Sequence, residues 1–493
     1  MTEKQIQNYI WEKRKNFADL LVAPQFQKVN IENPTYASPS DVLYNMVINR
    51  YEKLWDTMNE ISFFGCEVPL TEEGKSTMRT DFLANRCGND GIVVVELKRS
   101  DQTARQAYTE LLAYGSYLRT KFTPMSGDDI IYVLISPVGE RIVEQATINT
   151  LIYDNNKVCL LIPKYDDGDI NTLKLELWIP DKKVFEDLSY SCFNRENISV
   201  SKIVWESLPD EWSPKPGEKP TPEMYNRLNK VSSIAAQLME ERGIHGFVYC
   251  AQLIPEFAKT GFDMNAIVLA GVNPYKVARE RFIFDIALNC PPKLADRINK
   301  NGVNMLDILP SLASKAGDVN TEENYLEQLE ETWTSKLDEI GYEILNSLTQ
   351  TFERDYISKE HGEFTWETLL DNSEDYLSDN LDIHLTGVFR QLFFEYARID
   401  YKYIRTHSDK ELEDFPAYQE GGIPYEFIDM VNSQGYVRMF IERLANPFLL
   451  DDYFLEEIKT ARFKHSLLNI NKEDNNKYCL LYTSDAADDT PCV

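Results

Sequence analysis

The sequence predicts an α/β protein: a mixed sheet flanked by helices, followed by a small α/β domain and an acidic α-helical C-terminal region. Short apolar, β-branched runs, such as I-V-V-V at 92–95 and I-I-Y-V-L-I-S at 130–136, have the length and composition of buried strands. Residues 102–120 instead repeat apolar side chains with the period of a helix that packs on one face. Strands that alternate with helices are typical of a mixed or parallel sheet.

The first predicted elements lead up to a strand–turn–strand unit. A short helix at 4–20 precedes a helix at 40–58, which starts at an S-P-S-D signal. The turn signal N-R-C-G-N-D-G at 85–91 then connects two strands. After the helix at 102–120, we expect a strand at 130–136, a helix near 139–153, and strands at 158–163 and 173–179.

The helix at 102–120 is amphipathic. Its sheet-facing side is predicted to carry Ala104, Ala107, Tyr108, Leu111, Gly115 and Leu118. Its polar side, expected to be solvated, carries Gln102, Gln106, Glu110 and Tyr117, with Tyr114 at the border.

The second half of the chain changes character after the Pro- and Lys-rich stretch at 213–222, which is typical of an extended linker. A helix at 223–242 and two apolar strands at 245–253 and 266–272 predict a small α/β domain. Beyond residue 276 the chain is acidic and helical, with Leu326, Leu329, Trp333, Leu337, Ile340 and Ile344 on one helix face. This region is interpreted either as a partner-recognition module or as a helical bundle with aromatic core residues.

These patterns predict the following division. The ranges are 1–38 for an N-terminal helix and loop, 39–210 for the main α/β domain, 211–222 for the linker, 223–275 for the small domain, 276–477 for the acidic helical domain and 478–493 for a tail. The tail resembles translated read-through of a sequencing adapter, so we expect it not to be native protein.

Composition limits the function. The formal charge of −29 argues against a generally nucleic-acid-coated surface, but residues 75–121 hold eight Lys/Arg against five Asp/Glu. The five histidines are scattered and the cysteines show no C-x-x-C pair, which argues against zinc sites and makes Cys159 and Cys250 reduced core residues. No phosphate-cradling G-x-x-x-x-G-K loop and no membrane-length apolar run occurs. A soluble, cytoplasmic protein is expected.

Asp81, Glu96 and Lys98 are the candidate catalytic residues. Glu96 and Lys98 end a buried strand on the same face, because strand side chains alternate, and Asp81 lies on the strand before it. Mg²⁺ (or Mn²⁺) prefers oxygen ligands and is commonly bound by one or two carboxylates plus substrate phosphate, here Asp81 and Glu96. Lys98 could orient a water or neutralise phosphorane charge. The alternative is a plain Glu–Lys pair at a strand end.

Four short motifs accompany these residues: G-C-E-V-P at 65–69, T-D-F-L at 80–83, V-E-L-K-R at 95–99 and E-L-L-A-Y at 110–114. In these motifs the stretch resembles the PD-(D/E)xK nuclease superfamily, in particular RecB-like nucleases and mismatch-type single-chain endonucleases. The resemblance spans about residues 40–136. Thr80 stands at the proline position, and Glu110 stands where a glutamine is expected, with Gln106 one turn earlier.

The resemblance implies a restriction-endonuclease-like mixed sheet and metal-dependent cleavage of nucleic acid, with DNA as the expected partner. Accessory roles are expected for Gln106, Glu110, Tyr114, Glu60 or Glu52. A solvated surface position is an open alternative for the glutamine and the three glutamates. Three arginines near the motif, Arg79, Arg99 and Arg105, are expected to contact nucleic acid.

Two functions therefore remain open from the sequence. One is a Mg²⁺-dependent endodeoxyribonuclease of a restriction or phage-defence type. The other is a catalytically inactive nuclease-fold protein that binds protein partners through its acidic helices.

Overall fold

The computed structural model divides the chain into two compact units. Unit 1 comprises Met1–Glu32 and Ser40–Phe185, and unit 2 comprises Asn33–Pro39 and Glu186–Val493. The residues that the structure describes are 2–70, 78–86, 91–98, 101–123, 125–137, 141–152, 156–166, 168–194, 197–206, 222–252, 264–277, 322–348, 356–360, 382–408, 410–413, 415, 418 and 426–445.

Unit 1 is built on a mixed sheet, which in the described part has seven strands. The strands are β1 Leu21–Val22, β2 Ser62–Pro69, β3 Arg79–Asn85, β4 Ile92–Leu97, β5 Ile130–Ile135, β6 Lys157–Lys164 and β7 Lys174–Leu177. They lie in the order β1-β7-β6-β5-β4-β3-β2. The neighbours β4, β5 and β6 run parallel, whereas β2, β3 and β4 pair antiparallel. The predicted mixed sheet is thus confirmed.

In the described part of unit 1, the sheet is accompanied by the helices α1 Glu3–Glu12, α2 Pro39–Asn59, α3 Asp101–Lys121 and α4 Arg141–Ile152. The predicted helix at 4–20 is shorter than expected, because Asn16 departs from helical geometry and a 3₁₀ segment, Arg14–Leu20, follows α1. Helix α3 contacts β4 and β5. Its predicted inner side is confirmed at Ala107, Tyr108, Leu111, Gly115 and Leu118, which are all buried.

Unit 2 contains an antiparallel sheet of five described strands. They are β8 Ile198–Glu206, β9 Gly246–Gln252, β10 Met264–Val272, β11 Tyr356–Glu360 and β12 His384–Thr386, in the order β11-β8-β10-β9-β12. The helices α6 Pro222–Glu241 and α7 Glu322–Leu348 cover one face; α5 Lys182–Phe193 precedes β8. The core there includes Ile203, Leu228, Met239, Val248, Ile267, Trp333, Leu337 and Ile340.

The other face of this sheet is covered by α8, Gly387–Thr406. Phe389 of α8 lies against Phe247 of β9, with ring centroids 6.4 Å apart. Two further helices follow in the described part, α9 Phe427–Val431 and α10 Gln434–Ala445. Phe389, Phe393, Tyr396 and Phe440 of these helices are buried, and Phe393 and Tyr396 of α8 pack against Phe440 of α10.

The division of the chain differs from the expected one. It falls between Phe185 and Glu186, not after residue 210, because β8 pairs with β10. The same sheet includes the strands at 356–360 and 384–386, and the helix at 322–348 packs against it. Residues 223–275 are therefore not a separate domain from the region after 276. Strand pairing between distant segments leaves no local sequence signal. The linker before Pro222 and the tail at 478–493 lie outside the described residues.

Two further expectations concern cysteines and membrane spans. Cys159 and Cys250 are fully buried free thiols, as expected. Burial raises the pKa of each thiol above its ordinary value. Of the helices that the structure describes, none combines the length and apolarity needed to cross a bilayer.

Candidate active site

The register of β3 and β4 brings Asp81 and Glu96 together. Phe82 pairs with Val95 in an antiparallel ladder, and Asp81 and Glu96 are the next residues beyond this pair. Opposite residues of antiparallel strands project to the same face. Glu96 lies near the carboxyl end of β4, beside the parallel strand β5, where its side chain is 4% exposed. A buried carboxylate at this edge of a sheet is costly unless something compensates its charge.

Lys98 lies on the same face as Glu96. Its backbone N–H donates to the carbonyl of Ile135 at 2.9 Å, so β4 remains extended past its end and the two-residue alternation continues. The ammonium Nζ is 2.5 Å from Glu96 Oε1 and 3.0 Å from Glu110 Oε2. Lys98 thus connects the strand carboxylate to a carboxylate of helix α3.

The position of Glu110 corrects the expectation from helical periodicity. Glu110 was expected on the solvated side of α3, yet its half-buried side chain contacts Lys98. Successive helix residues are about 100° apart, so Glu110 lies at the border of the face centred on Leu111 and its long side chain reaches the strand end. Tyr114, one turn later, is 6% exposed and also faces this region. We call Asp81, Glu96 and Glu110 around Lys98 the carboxylate cluster.

Asp81 is oriented by two hydrogen-bond donors. The backbone N–H of Leu97 donates to Oδ2 at 2.7 Å, and the side-chain amide Nε2 of Gln7 donates to Oδ1 at 2.8 Å. The first of these satisfies a backbone donor just past the last β3–β4 pair. The second comes from helix α1, far away in sequence. Each oxygen of the Asp81 carboxylate therefore accepts one hydrogen bond, which restricts its orientation.

Burial shifts the pKa values of the cluster. It raises the pKa of Glu96 to about 8, and the neighbouring charge of Asp81 adds to the effect. Burial also raises the pKa of Asp81 to about 6, although the Leu97 N–H opposes it. The pKa of Tyr114 rises to about 12 through burial and the charge of Glu96. Partial burial lowers the pKa of Lys98, but the hydrogen bonds and charges of Glu96 and Glu110 outweigh it and raise that pKa.

The oxygen ligands of the cluster suit Mg²⁺ or Mn²⁺. Glu96 Oε2 is buried and accepts no hydrogen bond in the described part of the chain. Hard cations prefer carboxylate oxygens, and Mg²⁺ keeps several waters and needs only one or two protein ligands. Among the described residues, no group of three or more His, Cys, Asp or Glu side chains is arranged to hold a metal ion. Asp81 and Glu96 supply two carboxylates, the number of protein ligands that such an ion requires.

Other predicted site residues lie elsewhere or outside the description. Glu52 of α2 pairs with Lys28 at 2.7 Å, and Glu60 is exposed just after α2 ends, so the structure does not bring either of them to the cluster. Arg79 is 3.6 Å from Glu67 Oε2. Arg99 lies outside the described residues, as do the side chains of Arg105 and Gln106.

Two neighbours of Asp81 were not assigned a role from the sequence. Glu67 of β2 is opposite Asp81 in the β2–β3 register and has a positive φ of 49°, which is uncommon for a residue with a side chain. It forms an ion pair with Lys4 of α1. Gln7 is the other. The T-x-x-Q start at Thr2 and Gln5 forms a capping box and could have located the start of α1, but not what α1 contacts.

Comparisons with protein-family models, with curated proteins and with solved structures find no match for this chain.

Proposed function

We propose that the carboxylate cluster catalyses metal-dependent hydrolysis of phosphodiester bonds in nucleic acid, with DNA as the substrate and internal cleavage as the outcome. The supporting observation is the charge of the cluster: among the described side chains, the Lys98 ammonium is paired with Glu96 and Glu110, and the charge of Asp81 acts on Glu96 as well. This excess of negative charge favours a bound cation. The resemblance of residues 65–114 to the PD-(D/E)xK pattern supports the same conclusion.

Each residue then has a defined role. Asp81 and Glu96 would bind Mg²⁺ or Mn²⁺, with Glu96 Oε2 as the oxygen that has no other partner in the described part. A bound divalent ion supplies Lewis-acid polarisation of a phosphoryl oxygen and a bound water of lowered pKa. Lys98 stays protonated, because its pKa is raised, and places a positive charge where the phosphorane develops negative charge.

Glu110 keeps the Lys98 ammonium in place. Lys98 has a long, flexible stem, and two carboxylate partners restrict where its Nζ atom can lie. Because Glu110 is on α3 and Glu96 on β4, the position of the ammonium depends on the packing of this helix on the sheet. Holding the Lys98 ammonium in one position would speed the reaction even though Glu110 takes no part in bond making or breaking.

A second function is favoured by one observation. Both oxygens of Asp81 already accept hydrogen bonds within the protein, and Lys98 is already paired with two carboxylates. A cluster that needs nothing further would fit a catalytically inactive nuclease-fold protein that acts through protein partners.

The deciding experiment is a cleavage assay with the full chain. Supercoiled plasmid, single-stranded DNA and RNA are incubated with Mg²⁺, Mn²⁺ or EDTA. We expect divalent-dependent nicking or cutting of DNA by the wild type. Lys98→Ala should lower the rate by roughly 10²-fold or more, the scale of losing one transition-state contact, while DNA binding changes little because one cation among many contributes modestly.

Lys157→Ala is the matched control, since Lys157 of β6 also forms a lysine–carboxylate pair, with Asp128 at 3.2 Å, in the same unit. It should cleave like the wild type. If the wild type cleaves no substrate with either metal, or if Lys98→Ala cleaves as fast as the wild type, the nuclease function is wrong.

A further inference from the structure

We infer that Gln7 of helix α1 is a positioning residue for Asp81, setting the orientation in which this carboxylate binds the divalent ion. The inference rests on the proposed function and adds a residue to it. Gln7 is 4% exposed and donates from Nε2 to Asp81 Oδ1 at 2.8 Å. It lies outside the strand–turn–strand motif that carries the other site residues.

Helix α1 is fixed firmly enough for this role. Ile6 and Ile10 on its inner face are 1% and 0% exposed. The ring of Trp11 stacks on Phe82, the β3 residue next to Asp81, with centroids 6.4 Å apart. A capping box at Thr2 sets the first turn. Gln7 therefore contacts Asp81 from a packed helix whose Trp11 also contacts Phe82, the neighbouring residue of β3.

Lys4 determines which end of the Gln7 amide faces Asp81. The Lys4 ammonium donates to Gln7 Oε1 at 2.9 Å and also pairs with Glu67. An ammonium can only donate, so the amide oxygen faces Lys4 and the amide nitrogen faces Asp81. The contacts of Lys4 with Glu67 and with Gln7 thus fix the orientation of the Gln7 amide, whose Nε2 donates to Asp81.

The two hydrogen-bond donors restrict the orientation of the Asp81 carboxylate but leave acceptor positions for a metal ion. Each carboxylate oxygen has two acceptor positions, so Gln7 on Oδ1 and the Leu97 N–H on Oδ2 leave one position on each oxygen. With both oxygens held, the plane of the carboxylate cannot rotate. Residues that orient a metal ligand in this way commonly change metal affinity or activity by about 10–100-fold when they are replaced.

The test measures binding of Mn²⁺ alone, by electron paramagnetic resonance without nucleic acid, together with the Mn²⁺ dependence of cleavage. Gln7→Met keeps the length of the side chain and removes the donor. We expect its Mn²⁺ dissociation constant, and the Mn²⁺ concentration for half-maximal cleavage, to rise about tenfold, while KM for DNA stays unchanged. Asn8→Met, at the exposed next position of α1, is the matched control and should behave like the wild type.

Lys4→Met is a second variant that cannot be dismissed as unfolded, because the Lys4 side chain is 59% exposed. It frees the Gln7 amide to rotate, and should raise the same constant by a smaller factor, about threefold. If Gln7→Met does not fold, Lys4→Met decides the question.

The outcomes separate the two proposals. Wild type that neither binds Mn²⁺ nor cleaves overturns the proposed function, and this inference with it. Wild type that binds Mn²⁺ and cleaves, with Gln7→Met or Lys4→Met equal to it in Mn²⁺ affinity, overturns the role of Gln7 alone.

Discussion

The carboxylate cluster of unit 1 and a second buried ionic cluster in unit 2 differ in charge balance. In unit 2, Asp400 of α8 has Oδ2 within 3.1 Å of Arg443 Nη2, and this oxygen accepts from the Tyr436 hydroxyl at 2.8 Å. The Arg443 guanidinium also lies over the ring of Tyr396, 4.7 Å from its centroid. There one carboxylate faces one cation. In unit 1, two described carboxylates, Glu96 and Glu110, share the Lys98 ammonium, and a third, Asp81, lies close enough for its charge to act on Glu96.

The comparison shows which observation indicates function. Each cluster contains a buried carboxylate oxygen that accepts no hydrogen bond in the described part, Glu96 Oε2 and Asp400 Oδ1. An unpartnered oxygen therefore does not distinguish the two. Charge balance does, because a buried pair of opposite charges is complete in itself, whereas a buried excess of one sign requires protons or a cation. The balanced charges of the Asp400 cluster are typical of a structural ion pair, whereas the unbalanced charge of the carboxylate cluster supports the cation site that we propose there.

The largest expected change in stability follows from removing the cation of the Asp400 cluster. Arg443→Met leaves Asp400 buried without its cation, which should lower the free energy of unfolding of unit 2 by about 3–5 kcal/mol. Hydrogen exchange of α8 and α10 amides in the full chain measures it. Arg398→Met, at an exposed arginine of α8 that pairs with Glu395, should cost less than about 1 kcal/mol. Equal effects of the two variants would contradict the comparison.

The next effect is the pH dependence of unit 1. The folded-state pKa values of Asp81, about 6, and Glu96, about 8, exceed those of an unfolded chain. The folded state therefore binds more protons, and the stability that protonation contributes is complete below about pH 4 and lost as pH rises through about 8.

Without divalent ions, the free energy of unfolding of unit 1 should fall by roughly 2–4 kcal/mol between pH 5 and pH 8.5. Exchange of β4 amides reports it. Glu96→Gln should flatten this dependence and stabilise unit 1 at pH 8, while it abolishes cleavage. A wild type whose β4 protection does not change with pH would show that the excess charge is already compensated.

A divalent ion should replace the missing positive charge. At pH 7.5 and about 100 times its dissociation constant, Mn²⁺ should stabilise unit 1 by about 2.7 kcal/mol. The effect should be absent in Glu96→Gln and absent from the α8 amides of unit 2. Equal protection of both units by Mn²⁺ would indicate nonspecific binding to an acidic protein.

The smallest expected effect concerns Glu110. Its side chain is 42% exposed, and an ion pair of this exposure contributes at most about 1 kcal/mol. Glu110→Gln should therefore slow cleavage by no more than about fivefold and change stability little. A loss as large as that of Glu96→Gln would place Glu110 among the metal ligands instead of beside Lys98.

Much of unit 1 was predictable because its signals are local. The apolar runs at 92–95 and 130–136 are β4 and β5, and the inner face of α3 follows its 3.6-residue period. The shared face of Glu96 and Lys98 follows from strand alternation. Glu110 was misplaced because periodicity locates the Cβ atom, whereas the end of a long side chain at the border of a face can lie on either side.

The sequence by itself determined the elements and the residue types at the strand ends, since both depend on neighbours a few positions away. Only the tertiary structure decided that Gln7 contacts Asp81, that Glu52 and Glu60 do not join the cluster, and that β8 pairs with β10 across the expected boundary. These contacts join segments far apart along the chain. Their partners are selected by packing and by the burial of charge and backbone groups, which no local pattern encodes.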